Sequence, residues 1–202
     1  MTKQEALRII HNSAKTYNEN LVNKNVLFIS LSNGKVELFE TSFLPRNFLH
    51  LTGVHTKLNS TAFYSMARRD RLSITHIEFA SDGTTEKKLD VLKPLMNIQK
   101  TARMLGDYDY SQRFLVTDKL AGTVTSAMGF SKANDYYVPN TSLKTDVRIV
   151  SKKPVKRIIV TFIKGFDDKE YNDLMYLAKD ILLSDPMFEK ALDGKVNIMK
   201  DI

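Results

Sequence analysis

Apolar residues recur at steps of three and four through residues 4–21. Leu7, Ile10, Ala14, Tyr17 and Leu21 fall on one side of a helical projection, with Arg8, Lys15 and Glu19 on the other. That spacing predicts an amphipathic helix lying over a sheet. Residues 26–31 and 35–40 read as strands and flank Ser32-Asn33-Gly34. An Asn-Gly pair supplies the positive φ angles of a tight hairpin turn. Residues 45–54 mix packing groups with polar ones, and Gly53 permits an unusual backbone angle. Asn59 or Ser60 can cap a short helix running to Arg69, with Phe63, Met66 and Ala67 inward. Residues 74–79 fit a strand followed by a turn at Asp82-Gly83. Helical spacing returns over 85–105 through Leu89, Leu92, Leu95, Met96, Ala102 and Leu105, and Pro94 is expected to split or kink that helix.

From Ser111 onward the pattern changes to short runs rich in β-branched and aromatic residues, at 114–117, 123–128, 136–138, 143–150 and 155–164. Gly122, Asn134-Asp135, Pro139-Asn140 and Pro154 punctuate them. Asp167-Asp168 then opens a last predicted helix with Tyr171, Leu174, Leu177, Ala178, Ile181 and Leu182 as its stripe, and Pro186 stops it. Strands are grouped rather than alternating with helices. The expected class is therefore α+β, a mainly antiparallel sheet packed by N-terminal, central and C-terminal helices. The Asn33-Gly34 hairpin and the strands at 143–150 and 155–164 are expected in one antiparallel sheet, because residues 151–154 are too short a link for parallel pairing. With 202 residues and no internal repeat or linker, one domain is expected.

Composition narrows the chemistry. The formal net charge of +7 favours a polyanionic partner such as RNA, DNA or anionic lipid. There is no cysteine, which removes disulfides, thiolate metal sites and a cysteine nucleophile together. The four histidines, His11, His50, His55 and His76, form no metal-ligand spacing, so neither a metal nor another cofactor is expected. Lys3, Glu5 and Arg8 interrupt the N-terminal apolar residues. The pattern there is not a secretory signal, and no apolar run reaches membrane-spanning length. A cytoplasmic setting without membrane attachment is expected. Neither GxxxxGK[ST] nor GxGxxG occurs, so the common phosphate-cradling loops are absent.

This inventory suits attack of an RNA 2′-hydroxyl on its own phosphate. That reaction needs a base, an acid, and cations or hydrogen-bond donors at the phosphate oxygens. His50, among Phe48, Leu49, Leu51 and Val54, reads either as a general acid or base held by an apolar wall or as a structural histidine at an element junction. His55 is the alternative working histidine; His11 and His76 are expected to be incidental. Arg68, Arg69 and Arg71 can grip phosphates or simply complement the dipole of the helix they end. Tyr136 and Tyr137, before Pro139-Asn140-Thr141-Ser142-Leu143-Lys144, can stack bases beside a cation or form an ordinary strand and turn.

Three segments together resemble a known family. They are Asn47-Phe48-Leu49-His50-Leu51-Thr52-Gly53; Gly122-Thr123 with Gly129-Phe130; and the run from Tyr137 to Asp146. In their order they are similar to the phage-associated, fourth branch of the barnase–EndoU–colicin–RelE-like nucleases, over residues 20–165, with 166–202 expected as a C-terminal helical extension. The resemblance implies helices packed on a small antiparallel sheet and metal-independent RNA cleavage, often by toxins. It implies His50 as acid or base supported by Thr52, with Ser142 and Lys144 on a neighbouring strand at the phosphate. Thr141 and Ser142 both remain candidates for the hydroxyl that faces the site. Arg68, Arg71, Tyr136 and Tyr137 are expected to hold the nucleic acid. The implied role is a phage or mobile-element ribonuclease acting on RNA. The alternative is a catalytically silent protein that binds nucleic acid, a host defence protein or an antitoxin.

Overall fold

The computed structural model describes residues 1–111 and 115–197. Its first helix, α1 (Lys3–Asn20), is opened by a reciprocal cap. The Thr2 hydroxyl accepts from the Glu5 amide at 3.2 Å, and the Glu5 carboxylate accepts from the Thr2 amide at 2.7 Å. Ile10, Ala14, Tyr17 and Leu21 are buried as the spacing predicts, and Ala6 joins them in place of the half-buried Leu7. Strands β1 (Lys24–Ser32) and β2 (Lys35–Phe43) form the expected hairpin, with Asn33 at φ 50° and Gly34 at φ 73°. Next come a 3₁₀ turn at Pro45–Asn47, the single-turn helix α2 (Phe48–Thr52) and the short strand β3 (Val54–His55).

Helix α3 (Ser60–Arg68) is capped by Asn59, whose side chain accepts from the Ala62 amide at 2.8 Å. Residues 74–79 hold less strand than expected: a 3₁₀ turn at Ile74–His76, then β4 (Glu78–Phe79), which pairs with β3. The helical stretch expected at 85–105 divides into α4 (Thr84–Leu95), with Pro94 in its last turn, and α5 (Ile98–Thr101). Its end is strand β5 (Met104–Asp107). The remaining elements are β6 (Lys119–Gly122), β7 (Ala127–Ala133), β8 (Tyr136–Leu143), α6 (Val147–Val150), β9 (Lys156–Gly165), β10 (Asp173–Leu177) and α7 (Pro186–Leu192).

Several expectations fail here for identifiable reasons. The expected strand at 114–117 begins outside the described residues, and 115–117 carry no strand. Residues 123–126 are a turn, because the Thr123 hydroxyl accepts from the amides of Thr125 and Ser126, a bond that competes with strand pairing. The expected strand at 143–150 ends at Leu143. Asp146 caps α6 instead, accepting from the Arg148 amide at 2.8 Å. The hairpin therefore shares its sheet with β9, but not with a 143–150 strand.

The predicted helix at 171–182 is β10 and its flanks. Pairing with β9 from Asp173 to Leu177, the Arg103 guanidinium 3.6 Å over the Tyr176 ring, and two hydrogen bonds from Arg157 to Asp180 outweigh the helical spacing. The C-terminal region is thus strand plus helix rather than a helical extension, and Pro186 starts α7, behind an Asp185 cap, instead of stopping a helix.

The sheet runs β1-β2-β8-β7-β6-β5-β9 and closes from β9 back to β1, making a seven-stranded barrel; β10 adds to the β9 edge beyond β5. Pairing is antiparallel except at the β2–β8 seam. That seam is parallel, with Thr41 opposite Tyr137 and the Thr41 hydroxyl donating to the Tyr137 carbonyl at 3.0 Å. Phe28, Phe39, Phe43, Met128, Phe130 and Ile158 from the strands pack into one core with the apolar faces of α1–α5. A second core lies between Leu27, Ile29, Ile159 and Phe162 and the chain from Tyr171 to Leu192. Among the described residues no helix is long and apolar enough to cross a membrane.

Candidate functional site

The site is built where α2 and α4 face the middle of β8. Phe48 and Leu51 bury the inner side of α2, with Phe48 5.3 Å from the Tyr17 ring and 5.8 Å from Tyr64. The helix is only one turn long, so anchoring those two positions turns His50 outward, where it is exposed. The turn is tied at both ends. Asn47 is buried and accepts from the Leu44 amide at 3.1 Å; the Thr52 hydroxyl donates to the Leu49 carbonyl at 2.8 Å and accepts from the Val54 amide at 3.3 Å. Gly53, at φ 69°, ends α2 in the left-handed region.

Gly53 also lets α4 approach. A Cβ there would lie 2.7 Å from Cδ of Lys88. The Gly53 carbonyl accepts from the Thr85 hydroxyl at 2.6 Å, and the Lys88 ammonium donates to the His50 carbonyl at 2.9 Å. Lys88 is partly buried, and burial, which disfavours its charged form, holds its pKa below the ordinary lysine value.

The opposite wall comes from a bulge. The register between β7 and β8 shifts between Gly129 and Phe130, so Gly129 faces Thr141 while Phe130 faces Pro139. Thr141, Asn140 and Thr117 crowd over Gly129, where a Cβ would meet Oγ1 of Thr117 at 2.5 Å and Cγ2 of Thr141 at 2.6 Å. The Asn140 carboxamide is fixed by the Thr117 hydroxyl at 3.1 Å and by donation to the Val116 carbonyl. Between the walls lies a cleft of about 470 Å³. His50, Lys88 and Asn47 stand on one side, Ser131, Asn140 and Thr141 on the other, and Leu115, Val116, Val138 and Pro139 supply apolar surface. A second cleft, of about 490 Å³, adjoins it across His50 and Lys88 and reaches His55, Thr56, Asp82 and Thr84.

Of the residues singled out from sequence, His50 lines both clefts and His55 the second. Thr52 lies directly beneath, fully buried, with its hydroxyl engaged by backbone. Ser142 is buried opposite Met128 and lines neither cleft, whereas Thr141, itself largely buried, lines the first. Lys144 lines neither cleft; it is exposed and paired with Asp90 at 2.9 Å. Arg68 packs against α1, 3.4 Å from the Asn18 side chain that the Tyr64 hydroxyl also reaches, and Arg71 is exposed beyond the end of α3.

Tyr136 is exposed at the β7–β8 turn, and Tyr137 packs edge-on to Phe39 at 5.1 Å. Tyr137 lines a separate polar hollow with Glu37, Asp107, Lys119 and Lys156. His11 lies outside both clefts. Its imidazole is mostly buried 3.6 Å from Asp70, and burial lowers its pKa against the opposing pull of that carboxylate. His76 accepts from the Ser73 amide at 2.9 Å, a local capping role. Sequence reasoning missed Lys88 and Asn140 as site residues. Pro139-Asn140 was visible as a strand interruption, but nothing distinguished Lys88 from any other cation on a helix.

No curated protein and no solved structure matches the chain. The family model described as phage-Barnase-EndoU-ColicinE5/D-RelE like nuclease4 matches residues 9–180. That span exceeds the stretch over which the resemblance was read and includes every strand of the barrel and both walls of the cleft. The chain belongs to this nuclease family.

Proposed function

We propose that the protein is an endoribonuclease that cleaves RNA by attack of the 2′-oxygen on the adjacent phosphorus, with the 5′-oxygen leaving and a 2′,3′-cyclic phosphate as product. The observation that carries this reading is the exposed His50 beside Lys88 at the junction of two clefts in a chain that belongs to a nuclease family. His50 moves a proton as general acid or base. His55, which lines the second cleft, is the candidate for the complementary transfer. Lys88 has three ammonium hydrogens, and only one is taken by the His50 carbonyl, so the others can meet a phosphate oxygen as charge develops. Asn140 and Thr141 supply further polar groups across the cleft. These side chains carry out the chemistry without a metal, and the family description fits a phage or mobile-element effector working in the cytoplasm.

Incubation with total RNA in EDTA, followed by end-group analysis, tests this directly. Fragments ending in 2′,3′-cyclic phosphate are expected; intact RNA at high protein concentration rejects the proposal. Lys88 gives a second check. Its depressed pKa means that the charge at the phosphate is lost at lower pH than for an exposed lysine, so activity should fall on the alkaline side. Lys88→Arg keeps the charge at all accessible pH and should move that alkaline limb upward. An unmoved limb in an active Lys88→Arg enzyme assigns the titration to another group.

One observation favours a second reading, a catalytically silent binder of nucleic acid or of a host or antitoxin protein. Thr52 and Ser142 are sealed from solvent and Lys144 is paired with Asp90, so of the four residues expected to act only His50 lines the cleft. In that case RNA stays intact but is retained on filters at low salt, with affinity falling as salt rises.

A further inference from the structure

The two clefts are not independent hollows. Each falls in the size range of small-ligand pockets, about 300–1,000 Å³, and they share two residues, His50 and Lys88. Those are the groups suited to a phosphate, and they stand on the ridge between the clefts. We infer that the clefts are consecutive nucleotide subsites, one for each nucleoside flanking the scissile phosphate, so that the ligand recognised is an RNA dinucleotide step with its phosphate on the His50–Lys88 ridge. This rests on the nucleolytic reading above and adds to it a footprint.

Each cleft pairs apolar surface with polar groups, as a nucleoside with a base face and hydrogen-bonding edges requires. The first cleft offers Val138, Pro139 and Val116, the last 86 % exposed although apolar, as a surface against which a base can lie. The Asn140 carboxamide holds the backbone of that wall by bonding the Val116 carbonyl and the Thr117 hydroxyl, so the surface is pre-formed. The second cleft combines apolar Leu49, Val54 and Ala80 with polar groups of its own. Thr56, Thr84 and Asp82 line it, and hydrogen bonds from the Thr84 side chain and, at 2.9 Å, from the Thr84 amide lower the Asp82 pKa. A carboxylate and hydroxyls can accept from and donate to base edges and ribose hydroxyls. Gly53 keeps the ridge low by letting Lys88 lie across it.

The test uses a 3′-mononucleotide, a 5′-mononucleotide and a dinucleoside monophosphate lacking the attacking 2′-hydroxyl. Their binding is measured on the wild type and on two variants that fill one cleft each, Ser131→Trp and Ala80→Trp. Among the described residues the Ser131 hydroxyl makes no hydrogen bond, alanine has none to make, and neither residue is placed in the catalytic machinery. The two mononucleotides present their phosphates to the ridge from opposite sides. Each is expected to be weakened by a different variant, and the dinucleotide by both, roughly tenfold or more for each lost base contact.

Loss of both mononucleotides in the same variant, or unchanged dinucleotide binding in either, overturns the two-subsite assignment. Amide shift mapping on the wild type repeats the test without substitution: the mononucleotides should perturb opposite clefts, and overlapping maps reject the proposal. Because these readouts use binding alone, a wild type that binds in this pattern yet leaves RNA intact defeats the nucleolytic reading and not the subsites. RNA cleavage with a single-cleft pattern does the reverse.

Discussion

Replacing His50 by alanine is expected to cut RNA cleavage by about 10²–10⁴-fold, the usual contribution of a positioned acid or base, while leaving RNA affinity nearly unchanged. His50 is exposed on one face of α2, and its side chain fills no core. Phe48 and Leu51 hold the helix and Lys88 bonds the His50 carbonyl, not its imidazole, so the backbone and the cation stay in place when the ring is removed. Alanine is also the residue that a helix tolerates best. Single-turnover cleavage and filter binding on the same preparations separate the two effects. A His50→Ala protein that cleaves at the wild-type rate would move the proton transfers to His55 or elsewhere. Loss of binding along with cleavage would mean that the ring itself grips the RNA.

Phe130→Ala is expected to cost a large share of the protein's stability. Phe130 is fully buried, with its ring 5.3 Å from Phe39 and 6.2 Å from Phe43, both edge-on. Truncating such a side chain costs about 3–5 kcal/mol, out of a total stability that is usually about 5–15 kcal/mol. The site should feel it too. The Phe130 carbonyl accepts from the Asp118 amide at 2.8 Å and lies 3.2 Å from the Thr117 hydroxyl, the group that also fixes Asn140. Urea unfolding of Phe130→Ala beside Phe166→Ala, whose ring is partly exposed, measures the difference. A loss below about 1 kcal/mol, the range of ordinary single substitutions, would mean that Phe130 is not the keystone of that wall.

Local chemistry was legible wherever a single residue decides a backbone angle or a cap. Asn33-Gly34, a cap at Asn59 or Ser60 and the face of α1 could each be read directly, because turn angles, capping and periodicity act over a few neighbours. Residues 143–150 and 171–182 were misread because their outcome is decided elsewhere. The Asp146 cap takes the first out of the sheet, and the β9 edge with Arg103 and Arg157 draws the second into it. Closure of the barrel was equally invisible, since β1 meets β9 across most of the chain.

The site divided in the same way. The resemblance pointed to His50, and its place on the cleft follows from the anchored turn of α2. The bulge at Asn140 shifts the alternation by one residue and so turns Thr141, not Ser142, toward the cleft, and a two-residue period gives no notice of that. Lys88 became visible only when Gly53 brought two helices together.

The pairing of β9 with both β1 and β5 sets an order of events during synthesis. The residues of both cleft walls leave the ribosome before the strand that holds the barrel closed. Until residue 165 is available, β1 lacks its partner on one side and presents the open edge of an apolar strand, Val26 to Ile29, to whatever is nearby. A nascent chain of this protein therefore contains every cleft residue before it has the closed barrel that holds them in place, and it is most in need of a chaperone during that interval.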